Sequence, residues 1–263
     1  MTTSLEEEKP SDLNEVVTDE EKMERILKGT RKDINVQLAA NKLTVLLKSI
    51  PEDVIKPYFL KANRNLNSTH KTGKQDKLKV DIDEILNQDE WQASESSDRL
   101  TDKSDLRMTN ETEKGILRIL YALSSEKINI LSVSKLMSLI KLLSIKLGLN
   151  ENDSFAIKNM ANSLIWKSRE MPISELCTLL SFSYKRKLKS NNNKIALLLF
   201  EETLKNAERR WVEIVNAKEF ASLVHYYPAQ ISEQFMRKLE SRITDFIENM
   251  DATELATVSK LFI

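Results

Sequence analysis

Ser174-Glu-Leu-Cys-Thr-Leu-Leu180 is the stretch from which the chain is read. Leu176 and the pair Leu179–Leu180 stand at helical spacing, so one face of a helix is apolar. A second amphipathic run, Ile195-Ala-Leu-Leu-Leu-Phe-Glu-Glu-Thr-Leu204, follows within Ser174–Arg210. The two together predict an antiparallel helix pair.

The same short pattern recurs on both sides. Ser134-Lys-Leu-Met-Ser-Leu-Ile140 precedes it, Lys218-Glu-Phe-Ala-Ser-Leu-Val224 follows, and Thr253-Glu-Leu-Ala-Thr-Val-Ser259 comes last. Each reads polar, polar, large apolar, small, polar, large apolar. The large apolar anchors are Leu136, Leu176, Phe220 and Leu255, spaced 40, 44 and 35 residues apart. That is the period of helical-repeat arrays, in which one hairpin cannot bury its apolar face alone and its neighbours supply the missing core. An ordinary helical domain with recurring amphipathic helices is the competing interpretation, and the repeat of four anchors favours the array.

Composition agrees. Of 263 residues, 41% are hydrophobic, and only 4 are Gly and 5 Pro, which favours helices over a loop-rich β fold. Net charge is zero, from 40 basic and 40 acidic residues, but the two halves differ. Lys114 to the end holds 22 basic and 16 acidic residues, net +6; Met1–Glu113 holds 18 and 24, net −6. A basic second half suits a polyanionic partner, although segregation of this size is also what a solvated surface shows. The single cysteine, Cys177, excludes an internal disulfide framework. No run of about eighteen apolar residues is present, so no membrane span is expected. The acidic start, Met1-Thr-Thr-Ser-Leu-Glu-Glu-Glu-Lys-Pro10, resembles neither a secretory signal nor an Arg-rich transit peptide.

In chain order, residues 1–20 read as a disordered acidic leader. N-terminal helices are expected over 21–66, with Asp33 as the cap of a helix bearing Val36, Leu38, Leu43, Leu46 and Leu47. Pro51 divides the 33–66 hairpin, which is expected to stand apart from the main array. Residues 67–110 are polar and read as a flexible linker, with a short helix near Asp81–Gln88 and an isolated Trp91. The helical array is expected over 111–263. There Gly148 fits a helix C-cap, Asn152 or Asp153 the next N-cap, and Pro172 a helix start. Ser190-Asn-Asn-Asn193 is read as a loop, Asn216 as a cap, Gln230–Ile247 as a long helix, and Asp251 or Thr253 as the final cap. The pattern stops at Phe262-Ile263 without a polar closing face, so the chain is expected to be a fragment or a truncated product.

Nothing in the residues points to catalysis. His70 and His225 are the two histidines, and no His/Cys cluster has metal-ligand spacing; His225 reads as a half-buried packing residue. The four glycines form no phosphate-cradling loop, and Cys177 has no base partner in sequence. The expectation is a non-enzymatic protein with no cofactor, no metal and no small-molecule substrate. What remains is binding. Lys185, Arg186, Lys187 and Lys189 end one helix, Lys194 opens its partner, Arg209 and Arg210 close it, and Arg237, Lys238 and Arg242 lie in the next hairpin. If equivalent helices face one way, these ten cations line a continuous groove that holds phosphates of single-stranded RNA. Tyr184, Trp211, Tyr226 and Tyr227 lie near them and are available to stack on bases, although each taken alone reads first as core.

Ile173-Ser-Glu-Leu-Cys-Thr-Leu-Leu180 and Met250-Asp-Ala-Thr-Glu-Leu-Ala-Thr-Val-Ser-Lys-Leu-Phe262 resemble the helical repeats of the FAST kinase-domain family and the related octatricopeptide-like arrays of organellar RNA-binding proteins that carry a RAP domain. The resemblance covers roughly 114–263. It implies an all-α solenoid of stacked hairpins acting in mitochondrial or plastid RNA processing, stability or translation, and without it the location reads as cytoplasmic. The family's RAP domain and targeting presequence have no counterpart in these residues. No catalytic residue carries over. The alternative of another class is a HEAT- or armadillo-like scaffold whose helices hold another protein.

Overall fold

Four helices in the second half of the molecule begin with one device. Ser132, Pro172, Asn216 and Asp251 each stand four residues before an anchor. The N–H groups of Leu136, Leu176, Phe220 and Leu255 donate to those four carbonyls at 3.0, 3.0, 3.2 and 2.9 Å. The repeat read from sequence is therefore a repeat of helix register. Three of the caps also supply a side-chain acceptor to a free N–H of the first turn: Ser132 to Lys135, Asn216 to Glu219, and Asp251 to Glu254, whose carboxylate answers to the Asp251 N–H. Pro172 has no such acceptor and instead sets the backbone for entry into the helix.

The computed structural model describes residues 17–31, 34–71, 103–150, 153–189, 194–226 and 233–259. Among them are eleven α-helices and no strand, an all-α fold. The helices are α1 (Asp19–Leu27), α2 (Val36–Ser49), α3 (Glu52–Lys71), α4 (Lys103–Leu123), α5 (Val133–Leu147), α6 (Phe155–Lys167), α7 (Ile173–Lys189), α8 (Lys194–Arg209), α9 (Ala217–Tyr226), α10 (Glu233–Phe246) and α11 (Ala252–Ser259). Short 3-10 turns at Glu126–Ile130, Trp211–Glu213 and Ile247–Asn249 precede α5, α9 and α11. The leader up to Val16, the 81–88 helix, Trp91, the 190–193 loop, Tyr227, Pro228 and the end from Lys260 lie outside the described residues.

Packing follows the register. α3 pairs with α4, α5 with α6, and α7 with α8; α3, α5, α7, α9 and α11 contact one another in that order, as do α4, α6 and α8. Leu136, Leu176 and Phe220 are at most 1% exposed, and so are Leu139, Leu179 and Leu223 three residues on. One apolar core runs from Met23 to Val258.

The other row is tied by polar side chains. The last carbonyls of a helix lack intrahelical partners, and each helix of this row serves the turn at the end of the one before it. The Asn159 amide in α6 donates to the carbonyls of Leu123 and Ser125 at 3.4 and 3.1 Å, and the Ser163 hydroxyl donates to Asn129 Oδ1 at 2.6 Å. Asn206 in α8 donates to Ser168 Oγ at 2.7 Å. Arg242 in α10 donates to the carbonyls of Val212 and Ile214 at 3.1 and 3.0 Å.

Several expectations change. The N-terminal hairpin does not stand apart: α2 packs on α4 and α5, and α3 on α4, α5 and α6. The cap of α2 is Asn35, whose side chain accepts from the Gln37 N–H at 2.7 Å, while Asp33 lies outside the described residues. Leu38 is 47% exposed because it faces away from the α4–α5 side that buries Leu43, Leu46 and Leu47. The segment drawn as a linker over 67–110 is helical at both edges, since α3 runs to Lys71 and α4 starts at Lys103. Asp153 does not cap α6, and Asn152 lies outside the described residues. Ser154 takes that place without a side-chain bond, and the acceptor comes from α3, where Asn67 Oδ1 receives the Phe155 N–H at 3.1 Å. The amides of Asn63 and Asn67 both donate to the Asp153 carbonyl at 2.7 Å. Gly148 does end α5, at φ +66°, where a side chain would be strained.

Candidate nucleic-acid interface

Each of α5–α6 and α7–α8 is a helix pair, so this part of the fold has two edges. One carries the loops between paired helices; the other carries the turns that lead to the next pair. The 16-residue helix α8 separates them by about 24 Å at 1.5 Å per residue. The ten basic residues divide between these edges. Lys185, Arg186, Lys187 and Lys189 at the end of α7 and Lys194 at the start of α8 share the loop edge. Arg209 and Arg210 at the far end of α8 lie on the turn edge, and Arg242 reaches it from α10. Arg237 and Lys238 sit about one helical turn from Arg242, toward the other edge. The continuous groove drawn through all ten does not form.

The turn-edge arginines hold the fold. Arg210 donates to the Met171 carbonyl at 2.6 Å and forms a two-pronged pair with Glu213, through Nε at 2.7 Å and through Nη2. That hydrogen-bonded pair raises the guanidinium above its ordinary value and lowers the Glu213 carboxyl. Arg242 lies over the rings of Trp211 and Phe246 at 5.6 and 5.1 Å while it donates to three carbonyls of the preceding turn. Arg209 on this edge is exposed, as are Arg237 and Lys238 on α10.

The loop-edge group mixes exposed and half-buried cations. Lys185 and Lys194 are exposed. Arg186 donates from Nη1 to Ser144 Oγ at 2.9 Å, which ties α7 to α5, and its guanidinium lies 5.7 Å from the centre of the Phe182 ring. Lys187 lies 4.6 Å from the centre of the Phe200 ring, a cation–π contact that leaves its ammonium beside solvent. Lys189 closes the helix, and its side chain lies outside the described residues. Lys146 at the end of α5 adds a cation that had not been singled out. Cations also suit the carboxyl ends of α5 and α7 through the helix dipole.

The aromatic residues belong to the packing. Tyr184 packs against Phe200 and Tyr226, with ring centres 5.6 and 5.1 Å apart, and the Tyr226 hydroxyl donates to Ser181 Oγ at 2.8 Å. Trp211 meets Phe235 edge-on at 6.4 Å. His225 is exposed rather than half-buried, edge-on to Tyr226 at 4.7 Å. Cys177 is buried, its Sγ 3.8 Å from the Glu219 carbonyl. Burial, reinforced by the Glu219 carboxylate, pushes the thiol up to about 12.

A second set of positions emerges from the register. Two residues after each anchor stand Ser138, Thr178, Ser222 and Thr257, the first two exposed and the last two half-buried. Thr178 and Thr257 return the hydroxyl to the carbonyl four residues back, at 3.0 and 2.8 Å. These are the third polar residues of the four quoted stretches, so the sequence contained them; only the helical register shows that they share a face.

Elsewhere, a cleft of about 570 Å³ between α1 and α4 is lined by Arg25, Lys28, Thr30, Glu111, Thr112 and Arg118. It mixes both signs of charge and includes none of the ten. Among the described residues there is no group of three or more side chains suited to a metal, and no helix long and apolar enough to cross a membrane. The chain matches no family model, no curated protein and no solved structure.

Proposed function

We propose that this chain is an α-solenoid of stacked hairpins that binds single-stranded RNA without catalysis. The observation that carries the reading is the loop edge. Lys146, Lys185, Arg186, Lys187 and Lys194 come together there from three helices, with phosphate as the complementary ligand. The recurring hydroxyls of Ser138, Thr178, Ser222 and Thr257 add donors and acceptors along the same row of helices, a surface suited to unpaired base edges. The resemblance of 173–180 and 250–262 to organellar RNA-binding repeats adds the proposal that the RNA is mitochondrial and that the role is processing, stability or translation.

The test is charge reversal on the full chain. Lys185→Glu, Lys187→Glu and Lys194→Glu together are expected to lower single-stranded RNA affinity and flatten its salt dependence, because each phosphate contact contributes about −0.7 to the slope of log K against log salt. Arg209→Glu on the opposite edge is expected to change neither by much. Equal effects from the two edges would remove the assignment of the loop edge.

A protein scaffold of HEAT or armadillo type is the second reading, and a different surface favours it. Ile130, Trp166, Val212 and Val215, exposed by 65%, 53%, 61% and 80%, lie along the turn edge. Exposed apolar side chains of this size suit contact with another protein, and Ile145 and Leu188, exposed by 61% and 60%, stand near the loop edge as well. Binding of a partner protein that Val215→Asp abolishes, together with no RNA binding, would select this reading.

A further inference from the structure

Four large apolar side chains stand in water among the loop-edge cations. Ile145 in the last turn of α5 and Leu188 in the last turn of α7 are 61% and 60% exposed; Leu197 and Leu198, near the start of α8, are 39% and 44% exposed. Lys146, Lys185, Arg186, Lys187 and Lys194 each lie within three residues of one of the four. The Arg186 bond to Ser144 at 2.9 Å holds the ends of α5 and α7 side by side, and α7 packs along α8. The last turns of α5 and α7 and the first turn of α8 contain no Asp or Glu. Asp153, between α5 and α6, has its carboxylate on the Asn150 N–H at 3.3 Å.

RNA phosphates account for the cations but not for the aliphatic side chains, which have no flat face to stack on a base. Cations interleaved with exposed aliphatic groups suit a bilayer surface. Ammonium and guanidinium groups meet lipid phosphates there, and apolar side chains enter the boundary between headgroups and acyl chains. We propose that the loop edge docks on a membrane surface rich in anionic phospholipid. The contact is peripheral: the edge lies on the bilayer, and no helix among the described residues is long and apolar enough to cross it. This inference goes beyond the RNA reading and does not need it. The two share the cations, and the aliphatic side chains tell them apart.

Flotation of the full chain with vesicles of phosphatidylcholine, alone or mixed with an equal share of phosphatidylglycerol, tests it. The chain is expected to float with the mixed vesicles and not with phosphatidylcholine alone. Each cation near an anionic leaflet adds roughly fivefold to partitioning, so Lys185→Glu, Lys187→Glu and Lys194→Glu together are expected to weaken it more than about a hundredfold. Ile145→Ser with Leu188→Ser is expected to weaken it at least about tenfold, the equivalent of burying about two methylene groups, while RNA affinity and its salt slope stay as they were. Val212→Ser with Val215→Ser, equally exposed on the turn edge, is expected to change nothing. A wild-type chain that stays off the anionic vesicles would overturn the proposal. So would flotation indifferent to the Ile145 and Leu188 substitutions, or equally sensitive to those at Val212 and Val215. Loss of vesicle binding with RNA binding intact would leave the edge to RNA.

Discussion

Leu176→Ala and Leu255→Ala remove the same atoms from the same register, and the account predicts different costs. Leu176 is fully buried. Its truncation forfeits about 1.5–3 kcal/mol of transfer free energy and leaves a cavity between α7 and its neighbours, for a total of about 3–5 kcal/mol. Leu255 is 40% exposed, so about 1–2 kcal/mol is at stake, and an open site leaves no enclosed cavity. For a chain of this size 1 kcal/mol moves Tm by about 2–4 °C. Leu176→Ala is therefore expected to lower Tm by roughly 6–20 °C and Leu255→Ala by about 2–8 °C. The assay is thermal and urea unfolding followed by helical circular dichroism, with urea midpoints compared at unchanged m. Equal losses at the two sites would refute the claim that hairpins cover one another in sequence and that α11 is the uncovered step.

Two further predictions follow from the polar contacts. Arg242→Met keeps most of the apolar stem over Trp211 and Phe246 but strips the donor from three carbonyls; it is expected to cost about 1–3 kcal/mol in urea unfolding while leaving the salt slope of RNA binding as it was. Cys177, raised to about 12, is expected to resist alkylation at neutral pH until denaturant is added. Because its folded pKa lies above the unfolded value of about 8.5, its contribution to stability is complete below that pH and is lost as pH rises toward 12; a Cys177→Ala variant whose urea midpoint falls as steeply over that window would contradict the assignment.

The repeated helix register was legible because its signals are local. The anchors, Gly148, Pro172, Asn216 and Asp251 act within one or two turns of themselves, and the polar, polar, apolar pattern carries the register directly. The joining of the N-terminal helices was not, because α3 and α4 are separated in sequence by residues 72–102 and meet only in three dimensions. For the same reason Asn67, which lies in a stretch read as linker, could not be foreseen as the acceptor for Phe155, 88 residues away. The site was half legible. Spacing found the basic clusters, but a list of cations does not say which end of a helix meets which edge. Arg242 illustrates the loss: its charge looked available until the fold set it against carbonyls 28 to 31 residues back.

The most direct measurement is the affinity of the full chain for an unstructured RNA as a function of salt. With about four loop-edge phosphate contacts, log K is expected to fall with log salt at a slope near −3, and a structured duplex of equal length is expected to bind more weakly. No binding at low salt, or binding that salt leaves unchanged, would contradict the account.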